Sequence, residues 1–575
     1  MTAFRQLDTS RSSEFEPALN TPISLVHGIG TPQCDHWRTR IFARHPWFSK
    51  AMAAEYHRIA TSENDHVPAN RWLTEFEKRL KLGRTGLFVD CQDAEIVSYS
   101  DLKPQRIHAL ITHYATAYGP TMYKRTVERI AEEVWKVGIE FPLDISLEYT
   151  RDEAISALAR VCDSRWWRRN LRVMAARQLE QVCRELGMVS RHKAPYVSDY
   201  TLRRRQDQKC RNRLLLQGLE AENQQTGYTA TLAEISDATV SNPVNRRNEL
   251  MVRMRGYEEC AMAAGFEALF FTLTCPSKYH STSGHGRNPK YSGATPTQAQ
   301  AYLCKAWARI RAKWDRMDIR CFGFRIAEPH HDGTPHWHLL LFFAPDRVSE
   351  AEGIFRHYAM QEDTHEAGAK KYRCEIVRID PAKGSATGYI AKYVSKNIDG
   401  YGVATELDDE TGHHIIETAT RVEAWASTWG IRQFQQIGSA SVTVWRELRR
   451  LREPLETASL GELEQIRLAC DTGDWARFVQ LLGGPMIERN AAKVRPLHLH
   501  PTDKNKAENQ YGEICTQLMG VIMRGAKHQI TRTYSWRIQR VSADDSEHTD
   551  FEAPPGGAPW TCVNNCTPSE TSTRQ

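Results

Sequence analysis

Residues 321–343 read CFGFRIAEPHHDGTPHWHLLLFF, and this stretch carries the clearest fold signal in the chain. Aromatic and branched residues in CFGFRIAE (321–328) predict a strand, and the Asp-Gly pair in PHHDGTP predicts a tight turn. HWHLLLFF (336–343) is then almost continuously apolar, which is typical of a strand covered on both faces. The stretch therefore predicts an antiparallel hairpin whose second strand is buried.

The second strand begins with His336, Trp337 and His338. Side chains alternate along a strand, so the two imidazoles point to one face and the indole to the other. Pairing of the two strands places Glu328 beside both histidines. A lone His-x-His pair is usually structural, but burial of two imidazoles and a carboxylate is costly unless something satisfies them. We therefore predict a divalent metal site here, suited to Mg²⁺ or Mn²⁺ and acceptable to Zn²⁺.

The turn of the hairpin carries two further histidines, His330 and His331. We interpret both as exposed turn residues that do not take part in the site.

A helix is predicted over SATGYIAKYVSKNI (385–398), where a serine or threonine is available as its cap. Tyr389 and Tyr393 are four residues apart and share one helix face, with Lys392 close to it. Tyrosine and lysine at this spacing commonly form an amphipathic surface. A phenol with a pKa of about 10 is only about one part in a thousand ionised at neutral pH. A nearby ammonium and a metal ion both favour its attack, so these residues together suit phosphoryl transfer to tyrosine.

If the phosphate belongs to a DNA strand, its transfer to tyrosine retains the energy of the phosphodiester bond. A phenolate that attacks a phosphodiester forms a 5′-phosphotyrosine link and releases a 3′-hydroxyl, so the strand can be rejoined without ATP. With two tyrosines, one holds a strand end while the other cleaves again. The sequence contains no Gly-x₄-Gly-Lys-Ser/Thr phosphate loop, which excludes a conventional helicase.

Composition excludes several other classes of protein. The hydrophobic content of 41% and charged content of 25% are those of an ordinary globular protein, and the net charge is only +6. The fourteen cysteines contain no Cys-x₂-Cys pair, which argues against a structural zinc site. With no signal peptide at the start of the sequence and no apolar run near the ~18 residues of a membrane span, we expect reduced cysteines and a cytoplasmic location.

Positive charge is concentrated in residues 158–214, which contain fifteen Arg or Lys residues against five Asp or Glu residues. Charge runs are most often solvated helix faces. The alternative is a surface that follows phosphates, because guanidinium groups pair well with phosphate oxygens.

The motifs resemble those of a known superfamily. RIAEPHHDGTPHWHLLLF resembles the His-hydrophobic-His (HUH) motif of rolling-circle replication initiators, and GYIAKYVSKNIDG resembles their Tyr-x₃-Tyr motif. FFTLTCPSKYH resembles the first core strand, and RVEAWASTWGIRQFQQIG fits the bacteriophage replication gene A protein (GPA) family of replication endonucleases. The resemblance covers about residues 245–450. The HUH motif precedes the tyrosines, as in replication initiators and unlike conjugative relaxases.

The resemblance implies an α+β fold: an HUH-type nuclease core, with about five antiparallel strands and flanking helices, within a largely helical multi-domain chain. It also implies roles for six side chains, which are the metal ligands His336, His338 and Glu328, the nucleophiles Tyr389 and Tyr393, and the assisting cation Lys392. The cofactor would be Mg²⁺ or Mn²⁺.

Four regions are expected along the chain. They are a mainly helical N-terminal region (1–240) with the basic segment 158–214, an HUH endonuclease domain (241–450), a helical C-terminal region (451–540) and a disordered tail (541–575).

The implied function is that of a site-specific single-strand DNA endonuclease and strand transferase that initiates rolling-circle replication of a phage or prophage. Its partners would be the replication origin, a host helicase and a host single-strand binding protein in the bacterial cytoplasm. Three alternatives stay open: transposition of a single-stranded element, a DNA-binding regulator that does not cleave, and a metal-dependent hydrolase that uses water.

Overall fold

The computed structural model describes residues 24–283, 286–402, 407–408, 411–455, 461–488, 490–500, 508–524 and 528–541. The chain divides into two compact units, residues 1–188 and 189–575. Helices alternate with several antiparallel sheets, which confirms the α+β class. Apart from Val541, the predicted disordered tail lies outside the described residues.

The described part of the first unit is built from helices. Local capping explains several of their boundaries: Thr150 and Glu153 form a capping box, and Asp163 accepts a bond from the Arg165 amide. The helices are α1 (Pro32–Arg44), α2 (Ser49–Ser62), α3 (His66–Arg79), α4 (Asp93–Tyr118), α5 (Tyr123–Trp135), α6 (Arg151–Val161) and α7 (Ser164–Glu185).

The second unit contains both helices and strands. Its helices are α8 (Asp199–Gln217), α9 (Leu232–Ala238), α10 (Pro243–Ala263), α11 (Pro296–Arg316), α12 (Val348–Ala359), α13 (Ala369–Tyr372), α14 (Ala386–Ile398), α15 (Ile415–Trp429), α16 (Val442–Leu448), α17 (Gly461–Asp471) and α18 (Trp475–Leu482). Its strands are β1 (Leu219–Asn223), β2 (Thr229–Thr231), β3 (Glu267–Leu273), β4 (Thr282–Ser283), β5 (Gly286–Arg287), β6 (Phe322–Pro329), β7 (Pro335–Phe343), β8 (Cys374–Arg378), β9 (Phe434–Ile437), β10 (Val494–Leu499), β11 (Gln517–Met523), β12 (His528–Ile530) and β13 (Trp536–Arg540).

The central sheet has five strands in the order β8-β3-β7-β6-β9, and every neighbouring pair is antiparallel. The predicted hairpin is confirmed as β6 and β7. Every residue of both strands is buried, because helices cover the two faces of the sheet. The even-numbered side chains Leu340 and Phe342 belong to one core with α10 and α14, whereas Leu339 and Leu341 belong to a second core with α11 and α15.

Three smaller sheets complete the described strands, with orders β13-β1-β2, β10-β11-β12 and β4-β5. The expectation of a helical region over 451–540 holds for α17 and α18 and is wrong beyond about residue 490. From Val494 onward the described residues form strands β10 to β13. β13 pairs with β1, some 300 residues earlier, and a partner that distant leaves no local pattern in the sequence.

Among the described residues, no helix has the length and apolar character needed to cross a membrane.

Candidate metal centre and tyrosine helix

The hairpin brings an acid and two imidazoles together on one face of the central sheet. Glu328 of β6 lies directly opposite His336 of β7. His336 and His338 turn their Nε2 atoms toward each other at 2.9 Å, and the His338 Nε2 atom is 3.9 Å from Oε2 of Glu328. The potential ligand atoms of all three residues lie within 4.8 Å of one another, and all three side chains are buried. This geometry agrees with the predicted grouping.

Neighbouring side chains fix the orientation of the two imidazoles. The Thr272 hydroxyl lies 3.2 Å from Nδ1 of His338, on the far side of the ring from Glu328. The His330 ring stacks on His336 with centroids 4.0 Å apart. His330 and His331 are both half-buried, so the expectation that they are exposed turn residues is wrong. The turn folds back over the hairpin instead of projecting into solvent, which places His330 against the site.

Two side chains accept hydrogen bonds from the backbone amides in the first turn of helix α14. The Ser385 hydroxyl accepts the Gly388 amide at 2.9 Å, which makes Ser385 the cap. The Glu258 carboxylate of α10 accepts the amides of Ala386 at 2.6 Å and Thr387 at 3.1 Å. A negative charge at this position also interacts favourably with the positive end of the helix dipole. The bonds fix the start of the helix that carries both tyrosines.

The two tyrosines of α14 lie against the same sheet face as the acid and imidazoles. Phe270 of β3 contacts both rings, with centroids 4.7 Å from Tyr389 and 5.2 Å from Tyr393. The Tyr393 ring is also 4.4 Å from the His338 ring. Tyr389 is 42% exposed, and its ring centroid is 6.4 Å from that of Tyr393. Tyr393 is therefore next to the imidazoles, and Tyr389 lies one helical turn farther out toward solvent.

Two polar residues that follow Tyr393 on the helix reach Glu328. The Asn397 amide donates to Oε1 of Glu328 and, at 2.7 Å, to the Tyr393 carbonyl. The Lys396 ammonium lies 3.6 Å from Oε2 of Glu328. Sequence reasoning did not identify Asn397, although a position four residues after Tyr393 on the same face could have pointed to it. Lys392, the predicted assisting cation, is half-buried one residue before Tyr393, and its role stays a prediction.

Electrostatics near Tyr389 disfavour its ionisation. Burial is the larger cause and the negative charge of Glu375 the smaller, and together they raise the pKa of the Tyr389 phenol above its usual value. At neutral pH this tyrosine therefore needs assistance to act as a nucleophile.

The donor set fits a divalent cation. Two imidazole nitrogens and a carboxylate converge on one buried point, and such mixed ligands accept Mg²⁺, Mn²⁺ or Zn²⁺. Glu328 also accepts a hydrogen bond from Asn397, as is usual for carboxylates that bind metals.

Several basic residues of the predicted segment 158–214 form ion pairs. Within α7, Arg172 pairs with Asp93 at 2.6 Å, and Arg168 pairs with Asp101 at 3.1 Å. Within α8, Arg205 pairs with Glu423 at 2.5 Å. Part of the segment is therefore already paired with acids of neighbouring helices.

Comparison with known proteins identifies the family. Residues 112–401 match the family described as bacteriophage replication gene A protein (GPA). The chain is 44% identical over 431 residues to the replication gene A protein of Escherichia phage 186, and this match covers 73% of the chain. It is 33% identical over 546 residues to the replication gene A protein of Escherichia phage P2, and this match covers 90% of the chain. The chain belongs to the bacteriophage replication gene A protein family.

A further relative comes from a bacterial genome. The chain is 34% identical over 431 residues, 72% of its length, to a probable replication endonuclease from a prophage-like region of Salmonella paratyphi A. The matches span 61% of the phage 186 protein, 68% of the phage P2 protein and 53% of the Salmonella protein. No solved structure matches the chain significantly.

Proposed function

We propose that this protein is a site-specific single-strand DNA endonuclease and strand transferase that initiates rolling-circle replication of a phage or prophage genome. One observation carries the proposal: α14 holds Tyr393 with its ring 4.4 Å from His338, beside a buried cluster of an acid and two imidazoles. Membership of the replication gene A protein family and the name replication endonuclease among its relatives support it. In this proposal the five-stranded sheet is an HUH-type nuclease core.

His336, His338 and Glu328 would hold Mg²⁺ or Mn²⁺ in the active protein. A divalent cation bound there supplies positive charge that stabilises the negative charge developing on the scissile phosphate. The protein contributes the placement: β6 and β7 fix the ligands, while α14 fixes the tyrosines over the same sheet face.

Cleavage exchanges one phosphoester bond for another. The phenol oxygen of a tyrosine bonds to the phosphorus of the scissile phosphate, and the bond from phosphorus to the 3′ oxygen breaks. The phenol loses its proton and the released 3′ oxygen gains one, so no external energy source is needed. Tyr393 is the first nucleophile because its ring is next to His338, and Tyr389 is the second.

In this proposal Lys392 assists the reaction by favouring the phenolate form of a tyrosine. Lys392 precedes Tyr393 and lies three residues after Tyr389, and a cation at that spacing can reach the phenol oxygen.

The substrate would be the replication origin, single-stranded at the nick. Arginine and lysine residues in the 158–214 segment are the proposed contacts to DNA phosphates or to a host helicase. A host single-strand binding protein would take up the displaced strand. Phosphate contacts make binding fall steeply as salt rises, so the affinity should be compared at two salt concentrations.

Single-stranded oligonucleotides tiled across the genome that encodes the protein provide the substrate for a test. With Mg²⁺ or Mn²⁺, the wild type is expected to nick one of them and to remain attached through detergent treatment. The double change Tyr389→Phe with Tyr393→Phe is expected to abolish both nicking and attachment. Tyr372→Phe is the matched control, since that tyrosine is 65% exposed and takes no part in the proposed site.

The outcomes separate the open alternatives. Nicking that survives the double change would favour a hydrolase that uses water. Binding of DNA without any nicking by the wild type would favour a regulator. Strand joining restricted to the ends of a mobile element would favour transposition.

A further inference from the structure

The buried ammonium of Lys396 lies between two carboxylates. Its Nζ atom is 3.1 Å from Oδ1 of Asp408 and 3.6 Å from Oε2 of Glu328. Lys396 is 8% exposed, and the two acids are each 1% exposed. The cation is therefore shared between two acids that are both shielded from solvent.

Asp408 is fixed from its other side. The Tyr196 hydroxyl donates to Oδ2 of Asp408, and Tyr196 is completely buried. Tyr196 is in turn fixed to the hairpin, because its amide donates to the His331 carbonyl at 3.1 Å. Its φ of +72° is unusual for a residue with a side chain, so the surrounding structure must maintain it.

The backbone of Asp408 is also hydrogen-bonded to described residues. Its amide donates to the His413 carbonyl at 2.8 Å, and its carbonyl accepts the Gly412 amide at 2.7 Å. These backbone bonds help to hold the Asp408 carboxylate beside Lys396.

This arrangement affects Glu328, the one acidic side chain of the proposed metal centre. A lysine paired with Glu328 alone would neutralise it and would compete with a cation for its oxygens. With Asp408 included, the group formed by Glu328, Lys396 and Asp408 keeps a net charge of −1, which favours a divalent cation. The second acid thus offsets the lysine.

Building on the proposed function, we propose that Asp408, oriented by Tyr196, is a positioning residue that takes up the charge of Lys396 and leaves Glu328 able to bind the metal. Asp408 does not touch the metal in this account. It acts through Lys396, which links Asp408 to Glu328 of the hairpin and is itself part of α14.

Titration of the full-length protein with Mn²⁺ in the absence of DNA tests this proposal, with the metal affinity as readout. Asp408→Asn is expected to weaken Mn²⁺ binding by about tenfold, the lower end of the usual effect of residues that support metal ligands. Adding Lys396→Met to Asp408→Asn is expected to restore the affinity, because the net charge returns to −1. Tyr196→Phe is expected to weaken binding less than Asp408→Asn does.

Asp399→Asn is the matched control. It removes the same charge from the end of α14, where Asp399 pairs with Arg247, and is expected to leave Mn²⁺ affinity unchanged. Circular dichroism checks that each variant is folded.

Two results would overturn the inference while leaving the proposed function in place. One is an Asp408→Asn variant that binds Mn²⁺ as tightly as the wild type. The other is a weakened Asp408→Asn variant whose affinity Lys396→Met does not restore, since that would reveal a purely structural role. A wild-type protein that binds no Mn²⁺ would overturn the metal centre and this inference together.

Discussion

Replacement of Asn397 by leucine tests how the tyrosine helix is attached to the proposed metal centre. Asn397 is fully buried, and its amide donates both to the Glu328 carboxylate and to the Tyr393 carbonyl. Leucine has the same branching and the same number of side-chain heavy atoms, and its methyl groups are bulkier than the amide, so Asn397→Leu removes these bonds without leaving a cavity. The change leaves a buried carboxylate with one donor fewer.

The expected cost follows mainly from the two donated bonds, since the bond that the Asn397 oxygen accepts from Gln433 is longer, at 3.4 Å. A hydrogen bond to a charged group contributes about 1.5–3 kcal/mol and one between neutral groups about 1 kcal/mol. The local opening free energy should therefore fall by about 2.5–4 kcal/mol, which is on the order of a hundredfold to a thousandfold faster amide exchange. Hydrogen exchange followed by mass spectrometry measures this in peptides that cover β6 and α14, without assuming that the whole chain unfolds in one step.

Asn170→Leu in α7 is the control for this measurement, the same substitution at a half-buried asparagine. Asn170 also donates to the carbonyl four residues earlier, that of Trp166 at 2.9 Å. Its loss is expected to cost about 1 kcal/mol, or roughly fivefold faster exchange in α7. If Asn397→Leu accelerates exchange in β6 and α14 no more than Asn170→Leu does in α7, the bond to Glu328 does not stabilise the site and the reasoning is refuted.

Three further predictions address the metal ligands, the tyrosines and the hairpin. His336→Ala should abolish nicking while DNA retention on filters stays near the wild-type level at low salt, because binding depends on phosphate contacts; parallel loss of both would contradict this. In a Tyr393→Phe variant, the rate of cleavage by Tyr389 should rise steadily between pH 7 and 9. The pKa of that phenol is raised, so little phenolate is present at neutral pH. A cleavage rate that is already constant near pH 7 would show that ionisation of Tyr389 is not limiting. Gly323→Ala should prevent stable folding of the central sheet, as judged by circular dichroism and soluble yield. The φ of Gly323 is +148°, and an added Cβ would lie 2.0 Å from the Leu340 carbonyl oxygen. A variant with wild-type stability would show that this clash does not occur.

Local patterns in the sequence predicted the hairpin and the tyrosine helix. Alternation along β7 separates His336 and His338 from Trp337, and a short turn sets the register that brings Glu328 opposite His336. Helical spacing likewise places Tyr389 and Tyr393 on one face. These features depend on residues close together in the chain, so periodicity and turn chemistry were sufficient to find them.

Contacts between distant segments were not predictable in the same way. Tyr196 and Asp408 are separated by 212 positions, and Asn397 and Glu328 by 69. Nothing in the local pattern around Tyr196 distinguishes it from an ordinary core tyrosine. The half-buried state of His330 has the same origin, because its ring also contacts that of His280, 50 positions earlier, with centroids 5.1 Å apart.

The most direct test of the central claim locates the bond between protein and DNA. After reaction with the nicked oligonucleotide, trypsin would separate the two tyrosines, because Lys392 lies between them: Tyr389 falls in GSATGYIAK (384–392) and Tyr393 in YVSK (393–396). We expect mass spectrometry to find a nucleotide 5′-phosphate on the Tyr393 peptide after the first cleavage, and none in the His336→Ala variant. A nicked product with no nucleotide on either peptide would contradict the account.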